Sequence, residues 1–273
     1  MLSGGAVVGG PVHRHVVEMD FTRIQAQLDY RLTEPWGITF RLPYDIKDRS
    51  ASIELIDPAT ALEQEQMQDL LDLHHTNEVL TGFGDASLLA TWHAHDLAKE
   101  GDLFSLALGT SIPIGQTEHD PYEAGSAAEA HEHVQFGTGT FDPLLETYYT
   151  RSLESWNLSL FAIARLPVYE SSKDYRGSRT TTLGLNAMRP IGGTYAASAA
   201  LIYQREGFAH WAESGRDVNT GFSATSLKLG VSRSTAPGSR WSLGLILPIE
   251  TDPLDPSGEA FVPGPLLELS LNF

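Results

Sequence analysis

Histidines and carboxylates offer the first chemistry in this chain. His131-Glu132-His133 lies near His119, Asp120, Glu123 and Glu129, and His74-His75 lies near Glu78. Imidazole and carboxylate together make a ligand set suited to Zn, Cu or Ni. His93-Ala94-His95 sets two further imidazoles two residues apart, on one side of a strand. A divalent metal is therefore a candidate ligand, with His131, His133 and His119 as one set and His93 and His95 as another. The competing reading is plainer: solvated acidic loops, and a pair of histidines at a rim. His13-Arg14-His15 is weaker than either. No other cofactor is expected. The chain has no cysteine, which excludes disulfides, thiolate metal sites and a cysteine nucleophile.

Covalent chemistry finds little support. Ser87 and His93 fall on one strand face, but six residues of strand separate them by about 20 Å. No G-x-S-x-G, H-E-x-x-H or Walker motif is present. Gly137-Thr138-Gly139-Thr140 is not followed by a helical pattern, so a phosphate loop is not expected there. The chain reads as a non-enzyme.

A second constellation is charged. Arg23, Asp29, Arg31, Arg41, Asp45, Lys47, Asp85, Glu146, Arg165, Lys228 and Glu268 occupy the polar positions of alternating segments. Asn186 and Arg233 are assigned to the same face. Mixed signs on one face suit a wet channel, and equally a lumen closed by salt bridges.

The elements that must position these groups are strands. Leu267, Leu269, Leu271 and Phe273 alternate with Glu268, Ser270 and Asn272 at the chain end, a period of two. The same period runs through 24–32, 36–46, 86–94, 104–114, about 140–153, 155–168, 179–190, 193–206, 221–234 and 239–250. Connections alternate short (near 34, 98, 154, 191 and 237) and long (48–83, 115–138, 169–177, 207–219 and 251–263). Tight turns on one side and long loops on the other are the asymmetry of an outer-membrane barrel. The spacing of Leu62, Met67, Leu70, Leu71 and Leu73, with Thr60 and Glu63 as a capping box, predicts a short loop helix over 59–73. Aromatics at strand ends (Tyr30, Trp36, Trp92, Trp156, Trp241 and Phe273) suit interfacial girdles.

The fold class expected is all-β: a transmembrane antiparallel up-and-down barrel of about 12 strands, with residues 1–273 as one domain. Eleven strands are read directly. An even count places the twelfth within 2–12, beside the terminal strand, and 1–15 is the N-terminal segment or first strand. A soluble lipocalin-like barrel is the alternative. No run of eighteen apolar residues is present, so a helical membrane span is excluded, which leaves barrels untouched. The net charge of −17 opposes a nucleic-acid partner. Residues 1–10 lack the basic and apolar parts of a complete signal peptide, so the sequence reads as a mature or re-started form of an exported protein.

Gly82-Phe83-Gly84-Asp85-Ala86-Ser87-Leu88, Ser111-Ile112-Pro113-Ile114-Gly115, Gln135 to Pro143 and Leu247-Pro248-Ile249-Glu250, in that order, together with the terminal Phe, resemble a family of outer-membrane "transporter" proteins assigned to the MetA pathway of phenol degradation. Ile114 stands where that family often has Thr. The resemblance implies a 12-stranded barrel in the bacterial outer membrane and an uptake or channel role; the function expected is a channel or uptake protein for small organic solutes, hydrophobic or aromatic ones among them. Its partners would be outer-membrane lipid, the barrel assembly machinery and the solute. The alternative function is a non-transport scaffold that binds a metal or a periplasmic redox partner through its His- and acid-rich loops.

Overall fold

The structure is a computed structural model and describes residues 11–74, 76–126, 134–236, 238–257 and 262–273. The chain runs β1 (His13–Arg31), β2 (Trp36–Leu55), α1 (Ala61–His74), β3 (Glu78–Phe83), β4 (Ala86–His95), β5 (Asp102–Ile112), α2 (Pro121–Ser126), β6 (Pro143–Ser152) and β7 (Asn157–Arg165). It continues β8 (Tyr175–Arg176), β9 (Thr180–Gly192), β10 (Tyr195–Glu206), β11 (His210–Trp211), β12 (Gly215–Arg216), β13 (Phe222–Ala236), β14 (Ser239–Pro253) and β15 (Leu266–Asn272). One curled antiparallel sheet has the order β1-β2-β4-β5-β6-β7-β9-β10-β13-β14-β15, with β3 paired to β2. Consecutive long strands are neighbours, the up-and-down pattern expected.

Among the described residues β1 and β15 are the two edges of this half-barrel. The expected twelfth strand falls largely on residues 1–10, outside the described residues. The twelfth member of the observed sheet is instead β3. Two bounds also shift. The first long connection is shorter than 48–83, because β2 continues to Leu55 and β3 returns along it. Loops 169–177 and 207–219 carry β8, β11 and β12, which form a separate three-stranded sheet. Helix α1 lies close to its predicted span. Thr60 N donates to Glu63 Oε2 at 2.7 Å, one half of the capping box.

β3 and β4 are one strand broken by a bulge. Tyr44 pairs with Phe83 and Arg41 with Ser87, so one extra residue intervenes near Gly84-Asp85. A bulge re-aims the side chain beside it. Here it keeps Asp85 on the face of Asp45 and Ser87.

The distribution of burial is inverted relative to a water-soluble sheet. Asp45, Asp102, Asp142, Arg49 and Glu146 are buried, whereas Leu28, Leu160, Leu245 and Leu267 are exposed. Charged side chains are seldom fully buried unless paired, and contiguous exposed leucines mark a surface that is covered. Trp36 and Tyr44 lie on the exposed face of β2, eight residues apart, about 26 Å along the strand. Trp36, Trp92, Trp156 and Trp241 all sit at the short-turn end, while Tyr44 packs edge-on against Phe83 at 5.1 Å nearer the long loops. That spacing suits the apolar band and aromatic girdles of a transmembrane barrel. It opposes the lipocalin-like alternative, whose outer face would be polar.

If the leucine face meets hydrocarbon, Leu245→Arg should destabilise the folded protein by about 2–4 kcal/mol, read by urea unfolding in lipid vesicles. The same change at Ser242, on the other face, should cost clearly less. Equal, near-zero effects at both positions would argue for a water-covered sheet.

Candidate functional site: the concave face and its strap

Register fixes which residues share the concave face. Arg23 pairs with Asp45, Ala107 with Glu146, Ala200 with Lys228 and Gly244 with Glu268. Following these ladders places Arg23, Asp29, Arg31, Arg41, Asp45, Lys47, Asp85, Glu146, Arg165, Lys228 and Glu268 on one face. Asn186 joins them. Arg233 does not: it pairs with Trp241 on the opposite face, its guanidinium over the Tyr195 ring at 5.2 Å. The alternation of β13 explains it, because Lys228 and Arg233 are an odd number of residues apart.

The curl is visible in the ion pairs. Arg41 on β2 and Glu146 on β6 are three strand spacings apart, about 14 Å along the sheet. Both guanidinium nitrogens nevertheless reach the carboxylate, Nη2 to Oε2 at 3.0 Å and Nη1 to Oε1. Such a bidentate contact joins β2 to β6 across the hollow of the sheet. Tyr148 donates to Glu146 Oε2 at 3.2 Å. On the first hairpin, Arg23 forks onto Asp45 at 2.7 and 2.8 Å, and Thr39 donates to Asp29 Oδ1 at 2.5 Å.

A segment of the second long connection folds into this hollow. Residues 134–142, here called the strap, are pinned by two carboxylates that share one arginine. Arg165 on β7 donates through Nε to Asp142 Oδ2 at 2.7 Å, and through Nη2 to Asp85 Oδ2 and Thr138 Oγ1, both at 2.8 Å. Thr138 N donates to Asp85 Oδ2 at 2.9 Å and Gly115 N to Asp85 Oδ1 at 3.2 Å. Thr140 donates to Asp142 Oδ1 at 2.6 Å. Asp142 N donates to Ser111 Oγ at 2.8 Å. Asp85, Thr140 and Asp142 side chains are almost wholly buried.

The Gly137-Thr138-Gly139-Thr140 run does bind an anion with its backbone, but the anion is Asp85 of the same chain. Gly137 is required by close approach: a Cβ there would sit 2.2 Å from Asp85 Oδ1. Phe136 lies against Gly82, and Lys47 Nζ sits 4.6 Å above its ring while donating to Gln135 O at 2.7 Å. The strap therefore carries one aromatic ring into the hollow.

The other long loops cover the same end. Tyr122 donates to Asp217 at 2.6 Å and Ser214 to Asp120 at 2.6 Å. Lys173 Nζ donates to Thr117 O. Tyr175 and Trp211 pack with ring centroids 4.5 Å apart, and burial pushes the Tyr175 phenol well above its ordinary range.

The candidate metal ligands do not converge among the described residues. His93 Nδ1 is 2.8 Å from Ser105 Oγ, and His95 lies at the short-turn end of the same strand. No group of three His, Asp or Glu suited to a metal occurs among the described residues. His131 and His133 lie outside them, as does His75, and His119 stands without either.

Sequence reasoning assigned no role to Phe136, Thr138, Thr140 or Asp142. One signal was available: two threonines alternating with two glycines, closed by an aspartate directly before a strand, is a poor strand and a good ligand set for a guanidinium. The partner at Arg165, 23 residues on, carried no such signal.

Replacing Arg165 by Met leaves two buried carboxylates unpaired. It should destabilise the fold by about 3–5 kcal/mol, measured by urea unfolding in vesicles. Arg165→Lys should recover only part, because an ammonium cannot fork onto both. Full stability of Arg165→Met would show that the strap is not held by this contact.

No protein-family model matches this chain, and no curated protein matches it. Among solved structures, the chain is similar to the crystal structure of the COG4313 outer membrane channel from Pseudomonas putida F1. The match has a TM-score of 0.58 at 14% identity, and covers 94% of this chain and 82% of that one. At that identity the likeness is one of fold alone, and it extends over nearly the whole of this chain.

Proposed function

We propose that this protein is a channel of the bacterial outer membrane, admitting small organic solutes through a lumen narrowed by its own strap. The observation that carries the reading is the inversion itself. An exposed leucine face with an aromatic girdle surrounds a concave face on which charges are buried, paired and bridged across the hollow. Hydrocarbon outside and a polar interior is the one setting that satisfies both faces. The similar fold belongs to a protein described as an outer membrane channel, which agrees with this reading. On it the short turns face the periplasm, the stitched long loops face outside, and the partners are outer-membrane lipid, the assembly machinery and the solute.

The geometry supports small solutes: a barrel of about twelve strands is narrow, and the strap occupies part of its interior. At the long-loop mouth of the hollow Phe136 lies beside Lys47, an apolar and a cationic contact that suit small organic, including aromatic, molecules entering from outside. The metal-scaffold alternative would need His131 and His133, and is not carried further.

The purified protein, refolded in detergent and reconstituted, should give unit conductance steps in planar bilayers and swelling of liposomes in small sugars. Folded protein that gives neither would refute the channel. Phe273→Ala, which removes the exposed aromatic directly after β15, should lower the amount assembled in the outer membrane of expressing cells, read as heat-modifiable protein in the membrane fraction. Unchanged assembly would remove this aromatic from that role.

A further inference from the structure

The two halves of the concave face differ. Over β2 to β6 the inward positions are covered: Thr39, Asp45, Leu89, Ala107, Ser111 and Glu146 are buried beneath ion pairs and the strap. Over the short-turn half of β10 to β14 no hydrogen bond ties a described loop segment to the face, and the inward side chains shrink; at the long-loop end Glu206 is held by Ser178. Ser198 faces Gly230, which faces Gly244; Ala196 faces Ser232, which faces Ser242. Ser198, Gly230, Ser232 and Ser242 remain partly open. Within this short-walled region stands one ion pair. Lys228 Nζ donates to Glu268 Oε1 at 2.6 Å, and both side chains keep substantial exposure, 29% and 46%.

The pair is built to cross a strand. Lys228 lies on β13 and Glu268 on β15, with β14 between them. The strand between is passable because Gly244 presents no side chain: a Cβ at that position would come within 3.0 Å of Lys228 Cε. The lysine stem thus lies flat on Gly244, and the ammonium is delivered to Glu268 beside the open wall. Arg41–Glu146 differs in each respect. Its carboxylate is buried, its contact is bidentate and it is topped by Tyr148.

We infer that ions and solutes pass along the β10–β14 wall, and that the Lys228–Glu268 pair sets the charge preference of the passage. The inference rests on the channel reading and adds to it a route and two residues. A paired cation and anion present no net charge, yet each is accessible to a passing group. Losing one partner leaves the other facing the path. In a narrow polar passage an unpaired charge enriches its counter-ion.

Reversal potentials in a KCl gradient, from single channels in planar bilayers, test this. Lys228→Gln should shift permeability toward K⁺, and Glu268→Gln toward Cl⁻. Each shift should be roughly threefold to fivefold, the scale of one charge a few ångströms from an ion in water. The double variant Arg41→Gln/Glu146→Gln should leave the ratio unchanged, because that pair is off the path. Ser232→Trp should lower unit conductance by adding bulk to the open wall. Heat-modifiable mobility shows in each case that the variant is folded. Conducting channels whose selectivity is unmoved by both single changes would overturn the route while leaving the channel intact. A shift in the Arg41/Glu146 double variant alone would place the route on the other wall. Absence of conductance in the unaltered protein would instead refute the channel reading itself.

Discussion

One guanidinium holds the interior together. Arg165 is gripped by Asp85 from the β3–β4 bulge and by Asp142 at the entry to β6, so a single side chain ties three parts of the sheet to the strap. The contact is costly to make, since two nearly buried carboxylates must be desolvated. It is retained because each carboxylate also receives hydrogen bonds from the strap or its neighbours. Buried charges persist only with partners of this quality. The glycines follow from the same contact, because Gly137 must bring its backbone against Asp85.

On the proposed membrane reading the outer face obeys a different constraint. In hydrocarbon every backbone N–H and C=O must be paired within the protein, and consecutive antiparallel strands with tight turns do this with least chain. Leucines then cost nothing by facing outward, and the ordinary core of a soluble domain is absent. What replaces that core is a polar interior whose order comes from charge pairing and from the strap. Among the described residues few large apolar side chains are fully buried, Leu71 and Leu89 being two of them.

The two kinds of ion pair on the concave face have separate consequences. In Arg41–Glu146 and in Arg165 with its two aspartates the carboxylates are buried and multiply bonded, and the contacts join distant strands, which makes them fixtures of the architecture. Lys228–Glu268 is a single bond between exposed groups, carried over a glycine. Interactions of the first kind resist opening. Interactions of the second kind exchange readily with solvent and with anything that passes.

Period-two alternation by itself determined most of the sheet. A strand in a two-sided environment must alternate, and the apolar and charged positions of β2, β4, β7, β14 and β15 were legible for that reason. So was helix α1, whose capping box is local. The charged residues of one face were legible as a set because register preserves parity from strand to strand. Parity also corrects Arg233, where polarity was taken as a sign of face although the residue sits at the short-turn end over the Tyr195 ring. The chain alone did not determine whether the hollow was occupied. That depends on Asp85, Thr138, Asp142 and Arg165 meeting across as many as 80 residues of sequence, and on a one-residue bulge that keeps Asp85 inward. Local patterns carry no information about such meetings, so tertiary structure alone decided that the Gly-Thr run is a strap and which half of the concave face it covers.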